Sequence, residues 1–126
     1  MRAIIHPHQF SGTYRIPASK SHTIRRLLFA TLAEGVSILD YPLDSLDARS
    51  CVAVCRAFGA RIEEVRESAE EALRSGNPNA PAADGSRLAR WVVTGVGKNV
   101  LGQPNLQTPE DVLNVGNSGT TLYLAL

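Results

Sequence analysis

Ile24, Leu27, Leu28, Thr31 and Leu32 recur at the spacing of one helical face, and Gly35 follows as a stop. A second face of the same kind, Ala48, Cys51, Val52, Cys55 and Phe58, belongs to a helix expected from about Ser45 to Phe58 and ended by Gly59. Short β-prone runs lie between and after them: Val36–Tyr41, closed by Pro42, then Arg61–Val65 and Leu88–Thr94. Alternation of this kind argues for an α/β or α+β layer and against a bundle or a sandwich. Both helices start from turns containing Ser or Asp and end at glycine, which points to a repeated strand–helix unit.

The remaining segments are less regular. Residues 1–16 alternate loosely, with Ala3-Ile4-Ile5 and Tyr14-Arg15-Ile16 read as short strands around Gly12; His6 and His8, flanking Pro7, read as exposed loop residues. Glu67–Arg87 contains Glu-Ser-Ala-Glu-Glu-Ala-Leu-Arg, able to form a helical turn or two. It continues into Ser75-Gly-Asn-Pro-Asn-Ala-Pro-Ala-Ala-Asp-Gly85, which predicts a solvent-exposed, mobile loop over 67–87. Trp91 reads as a core or sheet-edge aromatic. Gly95–Thr108 reads as a loop, Val112–Val115 as a short strand, and the segment from about Thr120 as a further helix. That helix is still apolar and uncapped at Leu126, so the sequence is expected to be the front part of a longer protein.

Composition excludes several function classes. At 126 residues the chain is long enough for one small core, and 44% hydrophobic with 20% charged residues is ordinary for a globular domain. A formal net charge of +1 supplies no bulk attraction for nucleic acid or an anionic membrane. No apolar run approaches a membrane span, and no signal peptide precedes the first expected strand. Cys51 and Cys55 read as small buried hydrophobes on one helix face; with His6, His8 and His22 they give no zinc-ligand spacing, and a reducing cytoplasm is the expected compartment. Asp44 and Asp47, at the start of the second helix, suit its positive end better than acid–base or metal chemistry.

Anion recognition therefore has to be local, and two stretches offer it. Pro17-Ala-Ser-Lys-Ser-His-Thr-Ile-Arg25 brings two hydroxyls, an ammonium and a guanidinium to a helix start, where backbone N–H groups and the dipole favour negative charge. Ser21 and Arg25 share a face of its first turn, with Lys20 at the mouth. The alternative is a capped helix, with Ser19 or Ser21 as N-cap and Lys20, Arg25 and Arg26 as a solvated face. The second stretch, Gly116-Asn-Ser-Gly-Thr-Thr121, places glycines where the backbone turns sharply and a ligand can approach closely. It matches neither the P-loop nor the dinucleotide fingerprint.

Taken in order, Pro17-Ala-Ser-Lys-Ser with Arg25, Asp44-Ser-Leu-Asp-Ala-Arg49 and Gly116-Asn-Ser-Gly-Thr-Thr resemble the amino-terminal part of the 3-phosphoshikimate 1-carboxyvinyltransferase (EPSP synthase) family. The order agrees from about residue 10 onward and is poorest over 67–87. The sister enolpyruvyl transferase acting on UDP-N-acetylglucosamine shares the fold, but usually has asparagine at the place of Ser21 and lacks the Asn-Ser-Gly-Thr turn. A non-catalytic anion-binding α/β domain is the third possibility.

The resemblance implies an inside-out α/β barrel of repeated strand–helix units, helices inside and sheets outside. Residues 1–16 would cross toward a second domain, and 17–126 would form part of the amino-terminal one. It implies transfer of the enolpyruvyl group of phosphoenolpyruvate to the 5-hydroxyl of shikimate 3-phosphate with release of phosphate, on the route to chorismate and the aromatic amino acids. No metal or organic cofactor is implied. The partners would be the two small anionic substrates and the remainder of the chain, with no nucleic acid and no membrane. Position by position, Lys20 would be the catalytic residue touching both substrates, Ser21 and Arg25 would hold shikimate 3-phosphate, and Asn117, Gly119 and Thr120 would line the phosphoenolpyruvate pocket, where glyphosate would also sit. Tyr123 stands where the family usually has an arginine that helps position this segment. The acid–base carboxylates and further cations of the family belong to segments beyond Leu126, so the chain alone is not expected to turn over.

Overall fold

The computed structural model describes residues 4, 9, 11–13 and 15–126. The expected strands Ala3–Ile5 and Tyr14–Ile16, and His6 and His8, therefore fall wholly or partly outside the described residues; Arg15 and Ile16 carry no regular structure. The described chain runs α1 (Lys20–Leu32), β1 (Val36–Asp40), α2 (Leu46–Ala57), β2 (Arg61–Glu67), α3 (Ala69–Ser75), β3 (Arg87–Thr94) and α4 (Gly119–Ala125).

Both long helices form where their apolar periodicity demands. Ile24, Leu27, Leu28 and Thr31 of α1 are buried, as are Ala48, Cys51, Val52, Val54 and Cys55 of α2. Each is capped by a serine: Ser19 Oγ accepts from His22 N, and Ser45 Oγ from Ala48 N at 3.3 Å. Gly59 sits at φ +102°, a left-handed turn that ends α2 without a Cβ penalty.

The strands make one antiparallel sheet in the order β1-β3-β2. β3 is central, so its pattern is the most apolar: Leu88, Trp91 and Val93 are fully buried and join the two helices in a single core. Trp91 is thus a core residue, its indole nitrogen without an acceptor among the described residues. On the other face the charges pair across strands, Arg90 with Asp40 at 2.8 Å.

Gly95, just after β3, locks the sheet to α1. A Cβ there would fall on the carbonyl oxygens of Ala33 and Ala30. The next backbone N–H groups, of Val96 and Gly97, donate to Thr31 O at 2.8 Å and Ala33 O at 3.1 Å. Carbonyls that the end of α1 leaves unpaired are satisfied in this way.

Two expectations need correction. Residues 67–87 hold the helical turns that Glu67–Arg74 suggested, but they are not a continuous exposed loop. Glu67 completes β2 and Arg87 begins β3; α3 lies between, closed by a Ser68–Glu71 capping box and by Gly76 in the left-handed region. Beyond it Asn77 and Asn79 are buried. Asn77 Nδ2 donates to Leu88 O at 3.0 Å, and Asn79 Nδ2 donates to Pro42 O at 2.8 Å and Leu88 O at 2.9 Å. A low-hydrophobicity segment is held here by side-chain amides instead of apolar burial. The strand expected at Val112–Val115 is also absent: these residues have no ladder partner among the described residues, and Val112 is exposed. An apolar run becomes a strand only where an edge is offered to it.

A candidate anion site at the helix starts

Two helix N-termini and a glycine turn meet at one end of the layer. At the start of α1, the backbone N–H groups of Lys20 and Ser21 have no acceptor among the described residues, while Thr23 N returns to Ser19 O at 2.9 Å. Thr23 Oγ1, buried on the same turn, accepts from Leu43 N at 3.1 Å. Asn79 Oδ1 accepts from Asp44 N at 3.1 Å. The segment leading into α2 is thereby clamped between α1 and the buried asparagines, and its position fixes where α2 starts.

That start carries Asp47. Lys20 Nζ lies 2.7 Å from Asp47 Oδ2, with the lysine half-exposed and the aspartate mostly covered. Asp44 instead takes Arg49 in two contacts, at 2.6 and 2.8 Å, one to each carboxylate oxygen. Both acids also favour the positive end of α2, as their positions in the sequence suggest. What the sequence did not disclose is that Asp47 is the partner of Lys20, on a different helix.

A cleft of about 590 Å³ opens between α2 and the Gly116 turn, lined among others by Asp47, Arg49, Ser50, Asn114, Gly116 and Asn117. Asp47 is therefore common to the lysine ion pair and to the wall that carries Asn117. Ser21 is half-buried and Arg25 exposed on α1, neither with a side-chain partner among the described residues; neither lines this cleft. Thr120 is half-buried, Gly119 is exposed, and both stand at the start of α4 beside the cleft, not in its wall. Tyr123 is exposed on α4.

The two glycines of the turn differ. Gly116 has φ +56°, and a Cβ on it would lie 2.9 Å from Ser50 Oγ, so the fold itself requires glycine there. Gly119 has no protein atom within 4 Å of such a Cβ and no left-handed φ, so nothing in the described fold requires it. The groups of an anion-binding kind at this end are the Lys20 ammonium, paired with Asp47, the Arg25 guanidinium and Ser21 hydroxyl on α1, and the N–H groups of Lys20 and Ser21. No described helix is long and apolar enough to cross a membrane. Asn77, Asn79 and the ion pair of Asp47 are the parts that sequence reasoning missed; each acts across a long sequence separation and leaves no local signal.

Comparison with known proteins agrees with this architecture. The family model described as EPSP synthase (3-phosphoshikimate 1-carboxyvinyltransferase) matches residues 4–94. A curated 3-phosphoshikimate 1-carboxyvinyltransferase of Acetivibrio thermocellus is 48% identical over 116 residues, covering 92% of this chain and 21% of its own length. The protein of the same name from Methanothermobacter thermautotrophicus is 39% identical, covering 90% of this chain and 20% of its own. Among solved structures, EPSP synthase from Acinetobacter baumannii superimposes with a TM-score of 0.60 at 26% identity, over 90% of this chain and 20% of that one. The chain thus spans about a fifth of the length of the curated relatives it matches. Its mixed helix-and-strand layer is a partial domain of that fold. By sequence over most of its length, and by superposition, the chain belongs to the EPSP synthase family.

Proposed function

We propose that this chain is the amino-terminal portion of a cytoplasmic 3-phosphoshikimate 1-carboxyvinyltransferase, with residues 17–126 part of one domain and 1–16 leading toward a second. The observation that supports the proposal is the sharing of Asp47: it pairs with Lys20 and lines the same cleft as Asn117, which links one residue of the first stretch to one of the second. In this reading shikimate 3-phosphate takes Ser21 and Arg25, phosphoenolpyruvate takes Asn117 and the start of α4 at Gly119 and Thr120, and Lys20 leaves Asp47 to sit between the two anions. Both substrates carry several negative charges, and fixed cations and N–H donors stabilise the charge that develops during reaction. Protonation of the methylene carbon of phosphoenolpyruvate lets the 5-hydroxyl oxygen attack the adjacent carbon while the hydroxyl proton passes to a base. Phosphate then leaves from the tetrahedral intermediate, and loss of a methyl proton forms the enol ether of the product. The chemistry needs no metal or organic cofactor; the groups that move the protons lie in the remainder of the chain.

The test offers the complete enzyme phosphoenolpyruvate with either acceptor. Phosphate release with shikimate 3-phosphate and none with UDP-N-acetylglucosamine is expected. Release with the sugar nucleotide alone would move the assignment to the sister transferase. Release with neither, from a folded enzyme, would leave a non-catalytic anion-binding domain.

Gly119 provides a sharper probe of the pocket. Because the fold has open space at this position, Gly119→Ala should leave stability unchanged or slightly raised. Its methyl group should intrude on a bound ligand, raising the KM for phosphoenolpyruvate and the inhibition constant of glyphosate together, each roughly tenfold or more. An inhibition constant equal to that of the parent would remove Gly119 from the pocket.

A further inference from the structure

The turn that carries Asn117 and Gly119 is anchored from behind by groups with no part in the proposed recognition. Ser118 and Thr121 are both buried, and their hydroxyls lie 2.6 Å apart. Ser118 Oγ also accepts from Thr121 N at 3.2 Å, which makes it the N-cap of α4. Thr121 is the fully buried residue of α4, a helix that packs against both α1 and α2. On α2, Cys51 Sγ lies 3.9 Å from Cys55 Sγ and 3.9 Å from Ile24 O. Two buried polar pairs, Ser118–Thr121 at the first turn of α4 and Cys51–Cys55 on α2, thus lie within otherwise apolar packing.

A seven-residue helix has little stability of its own. Its leucines are only partly covered: Leu122 and Leu124 are both exposed residues. The one fully buried side chain of α4 is Thr121, so the placement of the turn in front of it depends on that residue. Within the reading proposed above, we infer that Thr121, buried and paired with Ser118, is a positioning residue that sets the Asn117–Gly119 turn for phosphoenolpyruvate.

Thr121→Val keeps the shape and removes the hydroxyl. In the complete enzyme it should raise the KM for phosphoenolpyruvate roughly three- to tenfold, as expected for one buried hydrogen bond, and leave the KM for shikimate 3-phosphate within about twofold. Thr121→Ser, which restores the hydroxyl, should return the first KM to near the parent value. Should the valine variant fail to fold, Ser118→Ala removes the other half of the pair and must raise the same KM selectively. A fall in thermal stability with both KM values unchanged, or an equal rise in both, would overturn the inference. Parent enzyme that releases no phosphate would instead overturn the functional reading on which the inference rests.

Discussion

Lys20→Ala in the complete enzyme is expected to lower kcat/KM for phosphate release by roughly 10²- to 10³-fold, the usual cost of deleting one preorganised charge-stabilising donor. Two effects act together. The substitution removes the ammonium that would stand between two anionic substrates, and it leaves Asp47 unpaired on the wall of the cleft, where its charge repels them. The fold should hardly notice. The Lys20–Asp47 pair has a half-exposed lysine, and pairs of that kind contribute on the order of 1 kcal/mol or less. Unfolding midpoints within that margin, together with the lost activity, would separate a site residue from a structural one. Lys20→Arg should recover only part of the loss, because a planar fork does not replace a compact ammonium between two ligands. A Lys20→Ala enzyme with parental kcat/KM would exclude Lys20 from the site.

Gly95→Ala should have the largest effect on stability, about 3 kcal/mol, at the upper end of the range for overpacking. The added Cβ would meet two backbone carbonyl oxygens of α1 and no flexible side chain, so relief requires β3 and α1 to separate. Separation also weakens the bonds from Val96 and Gly97 that close the helix end. Urea unfolding reads the difference, with Gly119→Ala as the control whose midpoint should stay in place. If the two alanine variants unfold at the same urea concentration, the contact between Gly95 and α1 does not hold the layer together.

What could be read in the sequence is what local physics determines. α1 and α2 declared themselves because burial repeats at the helical period and serine caps stand one residue before each start. The strands were legible within a residue or two. β2 and β3 each extend beyond their apolar run into charged residues, Glu67 and Arg87, that face each other across the ladder. Val112–Val115 misleads because apolar composition announces burial or pairing without saying which. Asn77 and Asn79 were hidden for the opposite reason: Asn-Pro-Asn is ordinary turn chemistry, and only the distant carbonyls of Pro42 and Leu88 turn it into a buried clasp. The site divided along the same line. Lys20, Ser21 and Arg25 were visible as a basic, hydroxyl-rich helix start, and Asn117, Gly119 and Thr120 as a glycine turn. The ion pair of Lys20 with Asp47 exists only once α1 and α2 are packed, and the cleft that Asp47 shares with Asn117 only once the Gly116 turn lies against α2.

The phosphorus NMR spectrum of the complete enzyme, mixed with shikimate 3-phosphate and phosphoenolpyruvate, follows all the phosphorus of the proposed reaction at once. An inorganic phosphate resonance should grow as that of phosphoenolpyruvate declines, with the shikimate phosphate signal moving to that of a new ester. The change should require both substrates and slow by the predicted factor in Lys20→Ala. A spectrum that stays constant over a folded enzyme, or phosphate released without shikimate 3-phosphate, would contradict it.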